Sequence, residues 1–285
     1  MSAVNHAPRQ VRLSILTVRD YAILALAVLV VALPLIYMVL SSFKGPGDLA
    51  TTQLRVFPQH WMPRNYADAA RNVPLGRMFL NSLIVTAVGA GVKVLLAVLT
   101  AYGLVFCRFP FKNLVFWAIL ATLMVPPQVS ALPNYVLISS LGGENTYWGI
   151  ILPGLGTGFG TFLLRQAFLQ LPVEVLEAAQ LDGAGHLKKL WHCVVPMALP
   201  SIATVALVSV VYEWNDYLWP LIITSEPSMM TLPRGLTLLQ NSESAATSFG
   251  ILMAGTVMVL LPILVVFAVL QRHIVNGFTQ GGVKG

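Results

Sequence analysis

From Tyr21 to Leu40 the chain carries no Asp, Glu, Lys or Arg. A hydrocarbon layer ~30 Å thick is crossed by about 20 apolar residues in a helix, and inside it every backbone N–H and C=O must find a partner within the protein. This run therefore predicts a membrane-spanning helix. The same criterion marks Leu80–Phe106, Leu114 to about Leu132, Tyr147 to about Phe168, Pro196 to about Thr224, and Ser248–Leu270. The expected fold is an all-α, polytopic membrane protein with six transmembrane helices. It divides into residues 1–20, a membrane domain over 21–270 with a polar loop at 171–195, and a tail over 271–285. Composition agrees, with 56% hydrophobic and 10% charged residues, where a soluble domain carries ~25% charged. Arg9, Arg12 and Arg19 precede the first run. That run is too long for a signal-peptide core and shows no small-residue cleavage site, so an uncleaved anchor is expected.

Pro126-Pro127, Pro153-Gly154, Gly156, Gly158 and Gly160 punctuate the spans. Backbone groups freed by such breaks cannot face lipid, so these segments are expected against other helices or a cavity. Close helix packing through small residues and a role along a pathway both remain open readings.

The formal net charge of +6 is spread over loops without a basic, aromatic-interleaved stripe, which argues against nucleic acid and points to membrane topology. Cys107 and Cys193 lack metal-ligand spacing and read as free thiols.

The polar loop opens with Leu171-Pro172, and proline suits a first helical position, where its missing N–H would be unpaired anyway. Glu174 falls in the first turn, where the helix dipole favours an anion. Val173, Leu176, Ala179 and then Leu187, Leu190, Trp191 suggest two short amphipathic helices. Asp182-Gly183-Ala184-Gly185 supplies the bend between them.

Glu177-Ala178-Ala179, Asp182-Gly183-Ala184, Pro196 and Pro200 resemble the EAA loop of permease subunits of bacterial ATP-binding-cassette importers. Leu190, Cys193 and Val195 depart mildly, standing where that family usually has Phe, Ile and Leu. The resemblance implies that Glu177, Ala178, Ala179, Asp182, Gly183 and Ala184 form a coupling helix that docks on a separate ATPase. In that setting Glu177 would pair with a basic residue and Gly183 would permit the tight bend. It further implies a homologous permease subunit, two copies of a cytoplasmic ATPase and an extracytoplasmic substrate-binding protein as partners. ATP and Mg would be used by the ATPases, and this chain would bind no cofactor or metal. A transport subunit rather than an enzyme is expected, and the chain contains no G-x-x-x-x-G-K-[ST] sequence to cradle nucleotide phosphates.

The resemblance extends through Arg108-Phe109-Pro110-Phe111-Lys112-Asn113, Leu123-Met124-Val125-Pro126-Pro127 and Phe162–Phe168 to the tail, and is strongest to the second permease subunit of carbohydrate-type importers. Gln280, Gly281 and Lys284 are the tail residues it would bring to the ATPase. With the N-terminus inside the cell, ten Lys and Arg lie on the cytoplasmic side and six on the outer side, in keeping with the positive-inside bias. The outer stretch Ser41–Phe79 runs against it. This orientation, with both termini in the cytoplasm and the chain in the bacterial inner membrane, also puts the Glu177 loop where an ATPase could reach it.

Lys93 stands alone in Leu80–Phe106, at a depth where an ionised side chain costs about 2.5–3.5 kcal/mol on insertion scales. Glu213 and Asp216 are the candidate partners. Lys93 also offers positive potential to an anionic substrate. Glu213, Trp214, Asn215, Asp216 and Trp219 join it as candidate pathway residues, because acids, an amide and aromatic faces suit a polyol, although Trp also anchors helices at the interface. Lys93, the Arg-Phe-Pro stretch and Trp117 look most like glycerol-3-phosphate permeases. The expected cargo is glycerol-3-phosphate or a glycerophosphodiester, with a di- or oligosaccharide as the alternative. An ion-coupled secondary transporter could use the same charges but leaves the Glu177 loop without a purpose. No His-Glu-x-x-His or Gly-x-Ser-x-Gly sequence is present to support an intramembrane enzyme.

Overall fold

The computed structural model describes residues 18–49, 55–240 and 249–265, together with residue 268. No strand occurs among the described residues. Arg9, Arg12, Arg272 and the tail residues Gln280, Gly281 and Lys284 lie outside them.

The first span, Val18–Ser41, leaves Leu24, Leu26, Val30 and Val31 exposed, as a helix solvated by lipid should. The second, Leu75–Phe106, has 32 residues and is about 48 Å long at 1.5 Å per residue. It begins at Leu75 rather than at Leu80. This helix is the axis of the bundle, packed against Gly158–Leu169 and Leu199–Asn215. Its buried side is rich in small residues, including Gly89, Ala90, Ala97 and Ala101. Lipid tails are as apolar as Leu, so association in a membrane rests on close packing, which small side chains allow. The Lys112 ammonium closes the end of the helix by donating to the carbonyls of Val105 (3.0 Å) and Cys107 (3.1 Å), where the helix dipole favours a cation.

Three of the expected spans are bent pairs. Lys112–Thr122 and Pro127–Ser140 meet at 96°, because neither Pro126 nor Pro127 has an N–H and the residue before a proline is pushed out of the α region. Pro126 accordingly has ψ 133. Tyr147–Leu155 and Gly158–Leu169 are inclined by 49° across Gly156-Thr157. His186–Met197 and Leu199–Ile223 turn by 83° at Ala198, so Pro196, expected to open the fifth span, belongs to the helix before the bend. A second interruption falls at Asp216-Tyr217, between Leu199–Asn215 and Leu218–Ile223. Among the described residues two helices are long and apolar enough to cross a membrane unaided, and up to five spans result if each bent pair counts as one. The apolar helix Phe249–Val265 occupies the region of the expected sixth.

The stretch Ser41–Phe79, which runs against the positive-inside bias, holds several of its charges in structural contacts. Buried Lys44 donates to the Arg55 carbonyl at 2.5 Å and sits 4.4 Å from the centroid of the Tyr37 ring. Arg55 pairs with Asp48 at 3.7 Å and Arg64 with Asp68 at 3.3 Å, while Arg77 donates to the Ser228 carbonyl. Cys107 and Cys193 are free thiols.

Candidate functional site

The polar loop folds as helix, bend, helix. Pro172, at φ −63 and ψ 119, leads into the helix Val173–Leu181. The helix ends where the Gly183 N–H returns to the Gln180 carbonyl at 3.0 Å and the Ala184 N–H to Ala179 at 2.9 Å, which satisfies carbonyls left over by the last turn. Gly183 has φ +77, a left-handed conformation that glycine adopts without steric cost. The second helix begins at His186 and passes through a π turn at Leu190–Val194. The Lys189 ammonium donates to the Gln180 side chain at 3.2 Å, tying the two halves together.

Leu176, Leu190 and Val194 are buried in one cluster with Ala101, Leu164 and Phe168 of the membrane helices. Val173, Leu187 and Trp191, expected on the packed face, are exposed. The reason is that only one narrow edge of each short helix reaches the bundle. Leu181 (90% exposed) and Leu187 (71%) flank the bend on the free side, next to exposed Glu177 and Asp182. Such apolar residues within a charged setting suit a protein partner. The Tyr102 hydroxyl, on the long helix, meets Nδ1 of His186 at 3.1 Å.

Inside the bundle Lys93 forms an ion pair with Glu213, and the side chains retain 12% and 9% exposure. The Lys93 ammonium also stands 5.6 Å from the centroid of the Tyr212 ring, within cation–π range. Gly89 precedes Lys93 by one helical turn, and a Cβ there would lie 2.9 Å from a Glu213 carboxylate oxygen. Glycine at this position is what lets the acid approach the helix. Gly154, at the break of the fourth span, faces the pair from the other side, with a Cβ position 3.7 Å from Glu213 and 3.8 Å from Lys93.

Of the two acids expected to compete for Lys93, Glu213 holds it. Asp216 instead stands at the interruption of the fifth span, just past the end of Leu199–Asn215. Trp214 packs in the core, donating to the Val259 carbonyl at 3.2 Å and meeting Phe79 edge-on. Trp219 donates to the Gly149 carbonyl at 3.1 Å, and exposed Asn215 turns back on its own helix to the Val211 carbonyl at 2.7 Å. Gly89, Tyr212, Tyr102 and His186 were not singled out as functional residues from the sequence, whereas Gly154 was among the span breaks for which a pathway role stood open. Gly89 alone had a local signal, a glycine one turn from an intramembrane charge.

A helical membrane bundle with a polar helix-bend-helix loop, and a charged pair where interrupted spans converge, is the architecture of a transmembrane transport subunit. Residues 93–280 match the family described as binding-protein-dependent transport system inner membrane component. The chain belongs to this family of ABC importer permeases, whose members carry the EAA loop. It is 33% identical over 267 residues to the sn-glycerol-3-phosphate transport system permease protein UgpE of Yersinia pestis bv. Antiqua (strain Antiqua), covering 91% of this chain and 95% of the relative. It is 35% identical over 269 residues to a protein of Bacillus subtilis (strain 168) named "Probable ABC transporter permease protein YurM", covering 93% and 88%. A crystal structure of a bacterial ABC transporter involved in the import of the acidic polysaccharide alginate shares the fold, with a TM-score of 0.78 at 22% identity over 89% of this chain and 94% of that one.

Proposed function

We propose that this permease subunit carries glycerol-3-phosphate, or a related glycerophosphodiester, inward across the cytoplasmic membrane. The observation that carries this reading is a lysine held within the bundle where interrupted spans meet. Irregular backbone at membrane depth is tolerated only in protein or beside a water-filled cavity, and intramembrane cations mark ion and substrate pathways. The glycerol-3-phosphate permease of similar length supports the same cargo.

The Glu177 loop faces the cytoplasm in this reading, as do both termini, and docks on one of two ATPase subunits that bind ATP and Mg. A homologous permease presents the second loop. ATP-driven closure of the ATPases draws the two loops together and turns a central cavity toward the extracytoplasmic binding protein. Glu177 is the charged anchor, and Leu181 and Leu187 supply the apolar contact. The tail residues Gln280, Gly281 and Lys284 add a further contact to the ATPases.

Two measurements test this. Copurification with the ATPase is expected to be lost in Glu177→Lys, and a complex that survives that change would overturn the docking assignment. ATPase activity of the reconstituted complex is expected to rise with binding protein loaded with glycerol-3-phosphate or a glycerophosphodiester. A rise with a disaccharide alone would favour oligosaccharide import, a reading supported by the exposed rings of Tyr212 and Tyr217, which suit stacking on sugar faces.

A further inference from the structure

The Lys93–Glu213 pair presents a difficulty for any anionic cargo. A lysine already neutralised by a carboxylate offers little net attraction, and the carboxylate of Asp216, three residues beyond Glu213, adds repulsion. Yet the surroundings of the pair are not those of a purely structural bridge. Three spans meet at it, and two of them are interrupted beside it, at Gly156-Thr157 and at Asp216-Tyr217. Gly89 and Gly154 present only backbone to the pair at these two points, while its side chains keep a small exposed fraction. Glu213 lies two residues before the end of the helix Leu199–Asn215, in its last turn. The Tyr212 ring covers the ammonium on a further side and contributes attraction for a cation without a negative charge of its own.

We propose that Glu213 is a displaceable counter-ion, occupying the Lys93 ammonium when the pathway is empty and giving way to the phosphate of the cargo during passage. This rests on the phosphate-ester reading of the cargo above. The exchange keeps Lys93 paired in both states, and the displaced Glu213 carboxylate must be solvated by water in the pathway while the cargo is bound, because an unpaired buried charge would cost several kcal/mol. It also selects by charge. A phosphate monoester, at ≈ −1.5 to −2 near neutral pH, competes with a carboxylate more effectively than a singly charged diester, and a neutral sugar does not compete. Glu213 competes with the bound anion for Lys93 and reclaims the ammonium as the cargo leaves, so affinity for cargo stays low enough for transport to proceed.

The test is uptake into proteoliposomes bearing the complete complex with its binding protein, comparing wild type, Glu213→Gln and Lys93→Met/Glu213→Gln. Glutamine keeps the shape of Glu213 but leaves Lys93 without its competitor. Glu213→Gln is expected to lower the KM for glycerol-3-phosphate and to lower kcat with it, because the anion is held longer. The double variant removes both charges together, avoiding an orphaned buried ion. It is expected to lose about tenfold or more in kcat/KM for glycerol-3-phosphate, the scale of one charge-assisted contact. A structural bridge predicts otherwise. If Glu213→Gln leaves KM unchanged or raises it, or the double variant imports glycerol-3-phosphate as wild type does, the counter-ion role is overturned while the cargo assignment stands. Wild-type complex that imports a disaccharide and no phosphate ester would overturn the cargo assignment and this inference with it.

Discussion

The hydroxyl of Tyr102 and Nδ1 of His186 lie 3.1 Å apart, with their rings edge to face at 6.0 Å, joining the long membrane helix to the start of the second loop helix. Lys93 is on the same long helix, nine residues or about 13 Å along the axis from Tyr102. One rigid element thus touches both the ion pair and the loop.

Tyr102→Phe keeps the ring packing and removes only the hydrogen bond, a change worth about 1 kcal/mol. Basal ATPase activity of the reconstituted complex is expected to rise relative to transport, since the loop can then move with less response from the long helix. An unchanged ratio of ATP hydrolysed to cargo imported would show that apolar packing around Leu176 and Leu190 transmits the movement alone.

Gly183 isolates backbone conformation from packing. Nothing lies within 4 Å of a Cβ placed there, while its φ is +77. Gly183→Val is therefore expected to strain the bend by roughly 1–2 kcal/mol and to weaken ATPase copurification. Gly183→Asn should retain most of it, because Asn tolerates the left-handed region.

Gly89→Ala places a methyl group 2.9 Å from a Glu213 oxygen and 3.1 Å from its carboxyl carbon, so the acid must shift. A loss of about 1–3 kcal/mol is expected, as for overpacking in a filled core, read as a lower unfolding midpoint in detergent. Gly91→Ala, on the same helix with open space around it, is the control. It should be neutral or slightly stabilising through helix propensity. Equal effects at the two positions would contradict the close approach of Glu213.

Trp214→Phe is expected to cost about 1 kcal/mol for the hydrogen bond to Val259, and Trp214→Ala about 3–5 kcal/mol as a core truncation. Both should show in thermal stability with KM for cargo unaltered. A raised KM in Trp214→Phe would mean that the residue contacts the cargo as well as the core.

Glu144 lies in the loop between Pro127–Ser140 and Tyr147–Ile151. Hydrogen bonds from the Ser139 hydroxyl (2.5 Å) and then the Tyr135 hydroxyl (3.0 Å) hold its carboxyl below the usual carboxylate range. A lowered folded-state pKa stabilises the fold above the unfolded-state value and ceases to do so as pH falls through the folded-state value. A small thermal advantage of wild type over Glu144→Gln is therefore expected at neutral pH and should vanish at acid pH. A difference that grows on acidification would have the wrong sign for this arrangement.

Features that depend on neighbours along the chain were legible in the sequence. The lengths of the apolar runs, the Pro172 entry, the Gly183 bend and the incompatibility of Pro126-Pro127 with a continuous helix all follow from backbone geometry and the thickness of a bilayer. The severity of the breaks was not legible, because proline and glycine permit a bend whereas the helices packed on either side set its angle, 96° in one pair and 49° in another. Nor could the sequence choose between Glu213 and Asp216 for Lys93. Both acids sit in one short segment, and the choice turns on Gly89 leaving room for Glu213 on the helix, whereas Asp216 lies past the end of Leu199–Asn215. The same holds for Trp214, whose indole could have faced a pathway until Val259 supplied a carbonyl within the core. Consecutive residues were enough to establish a helical membrane subunit with a polar helix-bend-helix loop, since apolar length and turn chemistry are local properties. Tertiary structure alone decided which charges are paired and which helices converge on them, because those interactions join residues far apart in the chain whose meeting depends on how the spans pack.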